Sequence, residues 1–478
     1  MTPEAWGKIL YSIHQHAEFL KRHHWPNGNH ATLEVADLGI IAVFFPEFRE
    51  SAGWFAYALE FLDRMWPELF EEDGYTRELS GSYHWVAMRS YLSFFEVARA
   101  NGLGNRFAER YRERLIRNSL AELYQVKPDG STPVSNDSSM RINRREQLER
   151  MDRLLGIPGI RYFLSGGREG VPPEPSSYFY PRSRIGIQRS DWSPKARYLY
   201  FDMGPWGDNH MNQDQLSVEV FAFGRPLLVN GGKWRYTTSD PEADWMPLAR
   251  YFKSTAACNG VLVNGYNQVF GDAEGTMATG PDLDYADGCF RAGFGEEVPG
   301  RDEQLFREKG LATRMATRVP GAVHRRQVAF VRPHFWILRD TVEGPGVAFA
   351  EQVWHFTGGG LRSLRHAGQC WHTVFSDANL VLISTAATPL TARTCMGQKE
   401  PFFAGWHCPY YDVLRPAPEL RIHQAATGKL VFHTLLFPLE GKVGEVPGFR
   451  YEAGISQIEW GGQSWRVAAP EEGAWQLA

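Results

Sequence analysis

The chain changes its hydrophobic period across Ser165-Gly-Gly-Arg-Glu-Gly-Val-Pro-Pro-Glu-Pro-Ser-Ser177. Glycine and proline at this density indicate a linker, which we place at residues 166–177. Before the linker, apolar residues recur at the three- and four-residue spacing of helices, and after it they alternate as in strands. Helices followed by strands predict a segregated α+β protein built from two parts.

Residues 1–165 form the helical part of this prediction. The apolar periodicity predicts helices over Ala5–Phe19, Thr32–Phe45, Ala52–Phe70, Tyr83–Ala100, Arg106–Tyr124 and Arg145–Leu155. Asn101-Gly102 is a typical helix end, because glycine readily adopts the left-handed conformation that follows a last turn. Helices joined by short connections predict antiparallel hairpins, as in an α/α toroid.

Residues 178–478 form the strand part. Tyr198–Asp202, Gln327–Val331 and Phe335–Asp340 have the length and the residue types of strands, and glycine, proline and aspartate separate such stretches. Roughly 300 residues of this pattern predict a large antiparallel β-sandwich.

Composition excludes two classes of partner. A formal net charge of −4 gives the protein no general attraction to nucleic acid or to an anionic membrane. No apolar run approaches the roughly 18 residues of a transmembrane helix, so we expect no membrane insertion. The start of the chain has no basic segment followed by an apolar one, which predicts a cytoplasmic protein as written. If the true start lies upstream, we expect a periplasmic or secreted protein.

Three kinds of polar side chain that suit β-elimination of a uronic acid polymer recur in the chain. Asn29-His30 and Tyr83-His84 lie in helical sequence, and Gly207-Asp-Asn-His210 lies in the strand part. A site built from an amide, a phenol and an imidazole would lie where the two parts meet. Each residue also has a structural interpretation: Asn29 as a helix N-cap, Tyr83 as a half-buried aromatic and His210 as a structural histidine.

An ordered series of motifs resembles the heparinase II/III family of polysaccharide lyases, whose relatives include alginate lyases. The series includes Asn29-His30-Ala-Thr-Leu-Glu34, Glu78-Leu-Ser-Gly-Ser-Tyr83-His84, Asn136-Asp137-Ser138 and Gly207-Asp-Asn-His210-Met-Asn-Gln-Asp214-Gln-Leu-Ser217. The resemblance implies an α/α toroid followed by antiparallel β-sheets. Only 28 residues precede Asn29, fewer than is usual in the family. We therefore expect either an incomplete toroid or a start that lies upstream.

The resemblance also implies roles for individual residues. Asn29 with His30 would neutralise the substrate carboxylate, and Tyr83 and His210 would act as acid and base. Further substrate-binding candidates are His84, Glu78, Arg189, Arg235, Arg250 and Tyr251. For the arginines, a solvated surface role is an equal alternative.

The chain departs from the family at the zinc positions of some relatives. Asn212, Asn230 and Cys258 stand where those relatives have two histidines and an aspartate. Two amides and one thiol form a poor zinc site, so we expect no metal and no other cofactor. We expect hydrogen bonds to hold the strand part together at this point.

The leading hypothesis is a lyase whose partner is an acidic polysaccharide or oligosaccharide. The alternative is a protein of the same fold that binds an acidic glycan without cleaving it. A hydrolase would require two carboxylates facing one sugar, for which Glu34, Asp37, Glu78 and Asp214 are available. The sequence specifies neither the polymer nor the oligomeric state.

Overall fold

A computed structural model of the chain describes residues 2–140, 143–208, 210–235, 244–298, 314–358, 364–471 and 473–478. Its helices are α1 Pro3–His23, α2 Gly28–Phe44, α3 Ser51–Leu69, α4 Gly81–Ala100, α5 Glu109–Gln125, α6 Arg145–Leu155, α7 Pro158–Ser165 and α8 Met246–Lys253. All six predicted helices are present. The sequence analysis missed α7 and also α8, which lies within the strand part.

The strands begin after residues 166–177, which contain neither helix nor strand. They are β1 Tyr178–Tyr180, β2 Ile185–Arg189, β3 Tyr198–Asp202, β4 Val218–Ala222, β5 Arg225–Leu228, β6 Val261–Val263, β7 Asn267–Gln268, β8 Ala273–Ala278, β9 Leu283–Phe290, β10 Phe294–Val298, β11 Arg314–Val319, β12 Val323–Val331, β13 Phe335–Glu343, β14 Phe349–His355, β15 Leu364–Ala367, β16 Cys370–Thr373, β17 Ala378–Thr385, β18 Thr391–Cys395, β19 Trp406–Tyr410, β20 Val413–Pro416, β21 Glu419–Ala425, β22 Leu430–Glu440, β23 Gly448–Glu452, β24 Ile455–Trp460, β25 Gln463–Ala468 and β26 Gln476–Leu477. The prediction of an α+β protein is confirmed.

The described strands pair antiparallel in sheets of different size. The largest has the order β15-β16-β17-β22-β13-β12-β9-β8, and a four-stranded sheet has the order β18-β21-β14-β6. A five-stranded sheet runs from β1 to β5 in chain order. One apolar core contains buried side chains from all three of these sheets. A second core lies between the eight-stranded sheet and the C-terminal sheet of β23 to β26.

The five-stranded sheet joins the two parts of the protein, because its two faces belong to different cores. On β3, Tyr198 and Tyr200 pack into the helical core, whereas Leu199 and Phe201 pack into the core of the strand part. This is the alternation that a strand buried on both faces requires. The helical part and the strand part therefore meet along a continuous boundary, which we call the seam. Both parts hold the loops beside it in fixed positions.

Close packing of α2 against α4 sets the geometry of the helical side. A Cβ added at Gly39 of α2 would lie 2.6 Å from the ring of Phe94 on α4. Glycine at this position lets the two helices approach closely, and it brings their first turns toward the same region. Among the described residues, no helix is both long and apolar enough to cross a membrane.

Candidate active site

Asn29 lies in the first turn of α2 and contacts Glu78, which precedes α4. The helix begins at Gly28 and Asn27 occupies the N-cap position, so the cap interpretation of Asn29 is wrong. The Asn29 Nδ2 atom lies 3.2 Å from each carboxylate oxygen of Glu78. The Oδ1 atom of Asn29 is buried without a hydrogen-bond partner among the described residues. Within the described part of the chain, Asn29 thus keeps one unpaired acceptor oxygen beside the carboxyl group of Glu78.

The environment of Glu78 favours the protonated carboxyl group. Burial raises the pKa of Glu78 to about 7, although the hydrogen bond from Asn29 lowers it. The carboxylates of Asp208 and Asp137 raise this pKa further. Near neutral pH the group therefore exists in both forms, so it can donate as well as accept a hydrogen bond.

Glu78→Gln is expected to change how stability depends on pH. Because the pKa of Glu78 is raised in the folded state, its protonation stabilises the fold at low pH, and this contribution is lost as pH rises through about 7. As the pH rises, the unfolding free energy of the native protein should therefore fall relative to that of the variant. Urea unfolding at about pH 5 and about pH 8 measures the difference. Exposed Glu68 on α3 supplies the control Glu68→Gln, and equal pH dependence in all three proteins would contradict the assignment.

Tyr83 and His210 bring the helical and strand parts into direct contact. Tyr83 lies in the first turn of α4, and its ring stacks on the His210 imidazole with 3.7 Å between centroids and 16° between planes. His210 has a φ of 55°, a left-handed backbone conformation that is uncommon outside glycine. Both side chains are partly exposed. A phenol and an imidazole, the two acid–base groups predicted from the sequence, are thus adjacent.

A buried aspartate holds His210 in place. Asp137 Oδ2 lies 2.8 Å from His210 Nδ1 and 2.9 Å from Lys233 Nζ, and Asp137 Oδ1 lies 3.7 Å from Lys253 Nζ. Burial opposes ionisation of Asp137, but Lys253, His210 and Lys233 together hold its pKa well below the usual range. The ionised carboxylate fixes the orientation of the imidazole through Nδ1.

Burial also affects Lys233. It lowers the pKa of Lys233 to about 8, although Asp137 favours the charged form. Lys233 and Lys253 place two cations on the Asp137 carboxylate that binds His210, in a protein whose net charge is negative. This local charge suits an acidic ligand.

Asn136 fastens the loop that carries Asp137 to both parts. Its Nδ2 donates to the Leu79 carbonyl at 2.8 Å, and its Oδ1 accepts from the Asn212 backbone at 2.8 Å. The Asp137 backbone N–H donates to the His210 carbonyl at 3.1 Å. The segments that carry Glu78, Asp137 and His210 are thus tied to one another.

Of the two other predicted histidines, one is buried and one is exposed. His84 is fully buried, and its Nε2 lies 3.0 Å from the Asn118 carbonyl while its ring stacks on Tyr75. Burial lowers the pKa of His84, so it is a neutral core residue, and this placement argues against the binding role predicted for it. His30 is exposed and its ring contacts Trp25.

Arg189 is corrected from a binding candidate to a core residue. Its side chain is fully buried, with the guanidinium 4.3 Å from the Trp192 ring and 4.9 Å from the Tyr198 ring, and it donates to the Val126 carbonyl. Burial lowers its pKa to about 10. A polymer does not reach this position, and neither does bulk water.

The remaining predicted binding residues have partners of their own. Arg235 Nε lies 2.6 Å from Asp412, and Arg250 Nε lies 3.0 Å from Glu297. Tyr251 is buried, with its hydroxyl 3.4 Å from Glu419, and burial raises its pKa well above the usual value. The ring of Tyr251 contacts the rings of Phe252 and Phe403.

The zinc positions of relatives are occupied by hydrogen-bonded or buried groups. Asn230 donates to Ser217 Oγ at 3.2 Å and accepts from the Asn259 backbone at 3.0 Å. Burial raises the pKa of the Cys258 thiol well above its usual value, so the thiolate that zinc requires is disfavoured. These donors do not fit a zinc ion.

Asp137 and Lys233 were not singled out as site residues from the sequence. Asp137 belongs to one of the quoted motifs, but an acidic residue in a loop is most often exposed. The lysines approach it only through the fold, and no spacing in the sequence signals this contact.

Comparisons with known proteins agree with this architecture. The family model Heparinase II/III N-terminus matches residues 1–154, and Heparinase II/III-like, C-terminal matches residues 183–460. The chain belongs to the heparinase II/III family.

Similar family members carry names that describe an enzyme. The heparin-sulfate lyase of Pedobacter heparinus is 23% identical over 446 residues, which cover 92% of this chain and 62% of the relative. That of Bacteroides stercoris is 25% identical over 350 residues, which cover 72% and 48%. This chain thus spans less than two thirds of the length of these curated relatives.

Solved structures in the family share the fold. The crystal structure of heparan sulfate lyase HepC from Pedobacter heparinus has a TM-score of 0.81 at 20% identity, covering 99% of this chain and 71% of that one. A crystal structure of heparinase III has a TM-score of 0.77 at 17% identity, covering 97% and 71%.

Proposed function

We propose that this family member is a polysaccharide lyase that cleaves a uronate-containing glycan by β-elimination. The observation that carries the proposal is the stacking of Tyr83 on His210 at the seam, with Asp137 behind the imidazole. Asp137 also raises the pKa of Glu78, which binds Asn29, so the two pairs lie within electrostatic reach of each other. The names of the relatives make heparan-type polymers the first substrates to test.

The first step of the proposed mechanism is neutralisation of the uronate carboxylate. The C5 proton is weakly acidic until hydrogen bonds to that carboxylate stabilise the enolate-like intermediate. We assign the donors to Nδ2 of Asn29, which contacts the Glu78 carboxyl group, and to the O–H of protonated Glu78. We assign the step to this pair rather than to His30, which is exposed and contacts Trp25.

The second step transfers protons through Tyr83 and His210. One group removes the C5 proton, the C4–O bond breaks as the C4=C5 double bond forms, and the other group protonates the departing glycosidic oxygen. Asp137 holds the imidazole by Nδ1, and we assign the proton transfer to Nε2. The lysines that surround Asp137 favour the anionic substrate at this point.

Asn29→Ala is expected to lower kcat more than it raises KM. The amide stabilises charge that develops only as C5 loses its proton, so its loss affects the transition state more than the bound ground state. Removal of one such donor typically costs about 10²- to 10³-fold in kcat. Steady-state kinetics measure the two constants, and Asn27→Ala at the N-cap of α2 is the control for effects on the helix. A change confined to KM would contradict the role.

The reaction class is tested by the products. Elimination creates an unsaturated uronate that absorbs ultraviolet light, whereas hydrolysis creates new reducing ends without that absorbance. The panel includes heparan sulfate, hyaluronan, alginate and glucuronans. Binding without either product would support the alternative of a non-catalytic glycan-binding protein. Among the carboxylates considered for a hydrolase, Asp214 is buried and accepts from the Asn136 backbone, so a sugar does not reach it.

We also propose that the helices form an incomplete α/α toroid and that the strands form a β-sandwich. The packing of α2 against both α3 and α4 supports the first assignment. The shared core of the five-, eight- and four-stranded sheets supports the second.

A further inference from the structure

A cavity of about 780 Å³ lies between α8 and the outer face of the four-stranded sheet β18-β21-β14-β6. Pro247, Arg250 and Tyr251 of α8 line one side of it. Side chains of β14, β18 and β21 line the other side, together with Phe402 and Phe403. Its size is within the range typical of small-molecule sites.

The cavity is separate from the proposed catalytic cluster. Of the described residues that line it, none is Asn29, Tyr83, Asp137 or His210. The helix α8 contributes to both sites, because Lys253 reaches Asp137 while Tyr251 lines the cavity.

Arg421 on β21 gives the cavity a buried cation with an unused donor. Its side chain is 4% exposed, its Nε lies 2.5 Å from Glu419 and its Nη1 lies 3.9 Å from Glu351. The Nη2 atom is buried and has no hydrogen-bond partner among the described residues. A buried unpaired donor is costly, and a ligand oxygen in the cavity would remove that cost.

One aromatic ring lies against this cation, and further rings line the cavity. The Phe402 ring lies 4.7 Å from the Arg421 guanidinium and 4.9 Å from that of Arg393. Phe349 contacts the ring of His423 with 5.0 Å between centroids, and both line the cavity. Flat apolar faces beside a guanidinium suit a pyranose ring that carries an acidic group.

The lining offers an acidic ligand one unused donor rather than an unbalanced charge. Among the described lining residues, the charged side chains are Arg250, Arg393, Arg421, Glu297 and Glu351. Arg250 pairs with Glu297, Arg393 with Glu351 and Arg421 with buried Glu419, so Nη2 of Arg421 is the donor that remains. One carboxylate matches this donor, since guanidinium and carboxylate form strong charge-assisted hydrogen bonds.

We propose that the cavity binds a short saccharide that carries one uronate carboxylate. Arg421 binds the carboxylate, and Phe402 and Phe349 contact the sugar rings. The choice of a uronate rests on the proposed function, whereas the requirement for a carboxylate rests on Arg421. The site holds a mono- or disaccharide away from the residues that perform the elimination.

The test uses the full chain with Tyr83→Phe, so that no ligand is cleaved, and isothermal titration calorimetry. Cellobiouronic acid is the probe, and neutral cellobiose is its matched control. The uronate disaccharide is expected to bind at least about tenfold more tightly than cellobiose, because only the former pairs with the guanidinium. Arg421→Lys keeps the charge against Glu419 but loses the planar donor array, so it should weaken binding by a similar factor.

A second variant, with its own control, tests the cavity without changing Arg421 and without depending on the folding of the Arg421 variant. Thr391 on edge strand β18 is exposed, lines the cavity and pairs with His423 on the same face. Thr391→Trp should fill the cavity and remove one binding event per chain. Thr394→Trp on the opposite face of that strand should bind as the parent protein does.

Three outcomes would overturn the inference: no binding of cellobiouronic acid, equal binding of cellobiose, or unchanged binding in Thr391→Trp. A different result would contradict the proposed function. A chain with Tyr83 intact that cleaves no uronate polymer, yet binds the disaccharide in this cavity, would refute the lyase assignment and leave the cavity site in place.

Discussion

Tyr83→Phe is expected to lower kcat by about 10²- to 10⁴-fold, the range for loss of a general acid or base. The substitution removes one hydroxyl from a partly exposed ring in the first turn of α4 and keeps the stacking surface against His210. The phenylalanine ring can still pack, but it can neither accept the C5 proton nor donate one to the leaving oxygen. The initial rate of unsaturated uronate formation measures the effect.

Tyr91→Phe on the same helix is the matched control. Tyr91 is fully buried against Trp66, and its hydroxyl donates to no described residue. Its loss should leave both kcat and thermal stability close to native values. A Tyr83→Phe protein with native circular dichroism and a native rate would remove Tyr83 from the mechanism. Equal losses in both variants would indicate a general effect on the helix.

The helices and strands follow from local patterns that can be read directly from the sequence. The predicted bounds of α6, Arg145–Leu155, and of β3, Tyr198–Asp202, coincide with those of the structure. The helix α8 was missed because its eight residues contain a proline and lie among strands, where a short apolar run has no clear period. Its stability comes from burial of Met246 and Phe252, a tertiary effect.

The candidate site was predictable only in part, again because tertiary contacts cannot be read from the sequence. Asn29, Tyr83 and His210 were chosen because their residue types suit the chemistry and their motifs resemble a family, and the rings of Tyr83 and His210 stack in the structure. His84 and Arg189 were chosen with the same reasoning, yet both are buried. A side chain's direction depends on which face of its element meets the core, and Tyr83 points about 100° away from His84 around the axis of α4. The sequence shows that the two residues are neighbours, but not which one faces the seam.

The same limit applies to charge. A carboxylate attracts cations from distant parts of the chain only once the chain is folded, as Lys233 and Lys253 approach Asp137. Glu78 shows the opposite case, because burial and neighbouring carboxylates raise its pKa to about 7, so a large share of it is protonated near neutral pH. Two acidic residues of one site therefore hold different protonation states, which composition and motif do not reveal.

Asp137→Asn is expected to reduce the free energy of unfolding by about 3–5 kcal/mol, the usual cost of removing one partner from a buried ion pair. The Asp137 side chain is 2% exposed and balances Lys233 and Lys253 while it binds His210. The neutral amide keeps the shape but leaves two cations without a counter-charge. His210 also loses the carboxylate that orients it, so kcat should fall as well. Urea unfolding and initial rates measure the two effects.

The pH dependence of this loss separates electrostatics from packing. Burial opposes ionisation of Asp137, but Lys253, His210 and Lys233 hold its pKa in the folded state well below the unfolded value. The ionised carboxylate therefore stabilises the fold at pH values above the usual carboxyl pKa, and this contribution is lost as the pH falls. The stability difference between native and variant should therefore be larger at about pH 7 than at about pH 3. Exposed Asp129, which accepts only from Ser131 among the described residues, provides the control Asp129→Asn, expected to cost little. A pH-independent loss in Asp137→Asn would show that shape, not charge, holds the seam together.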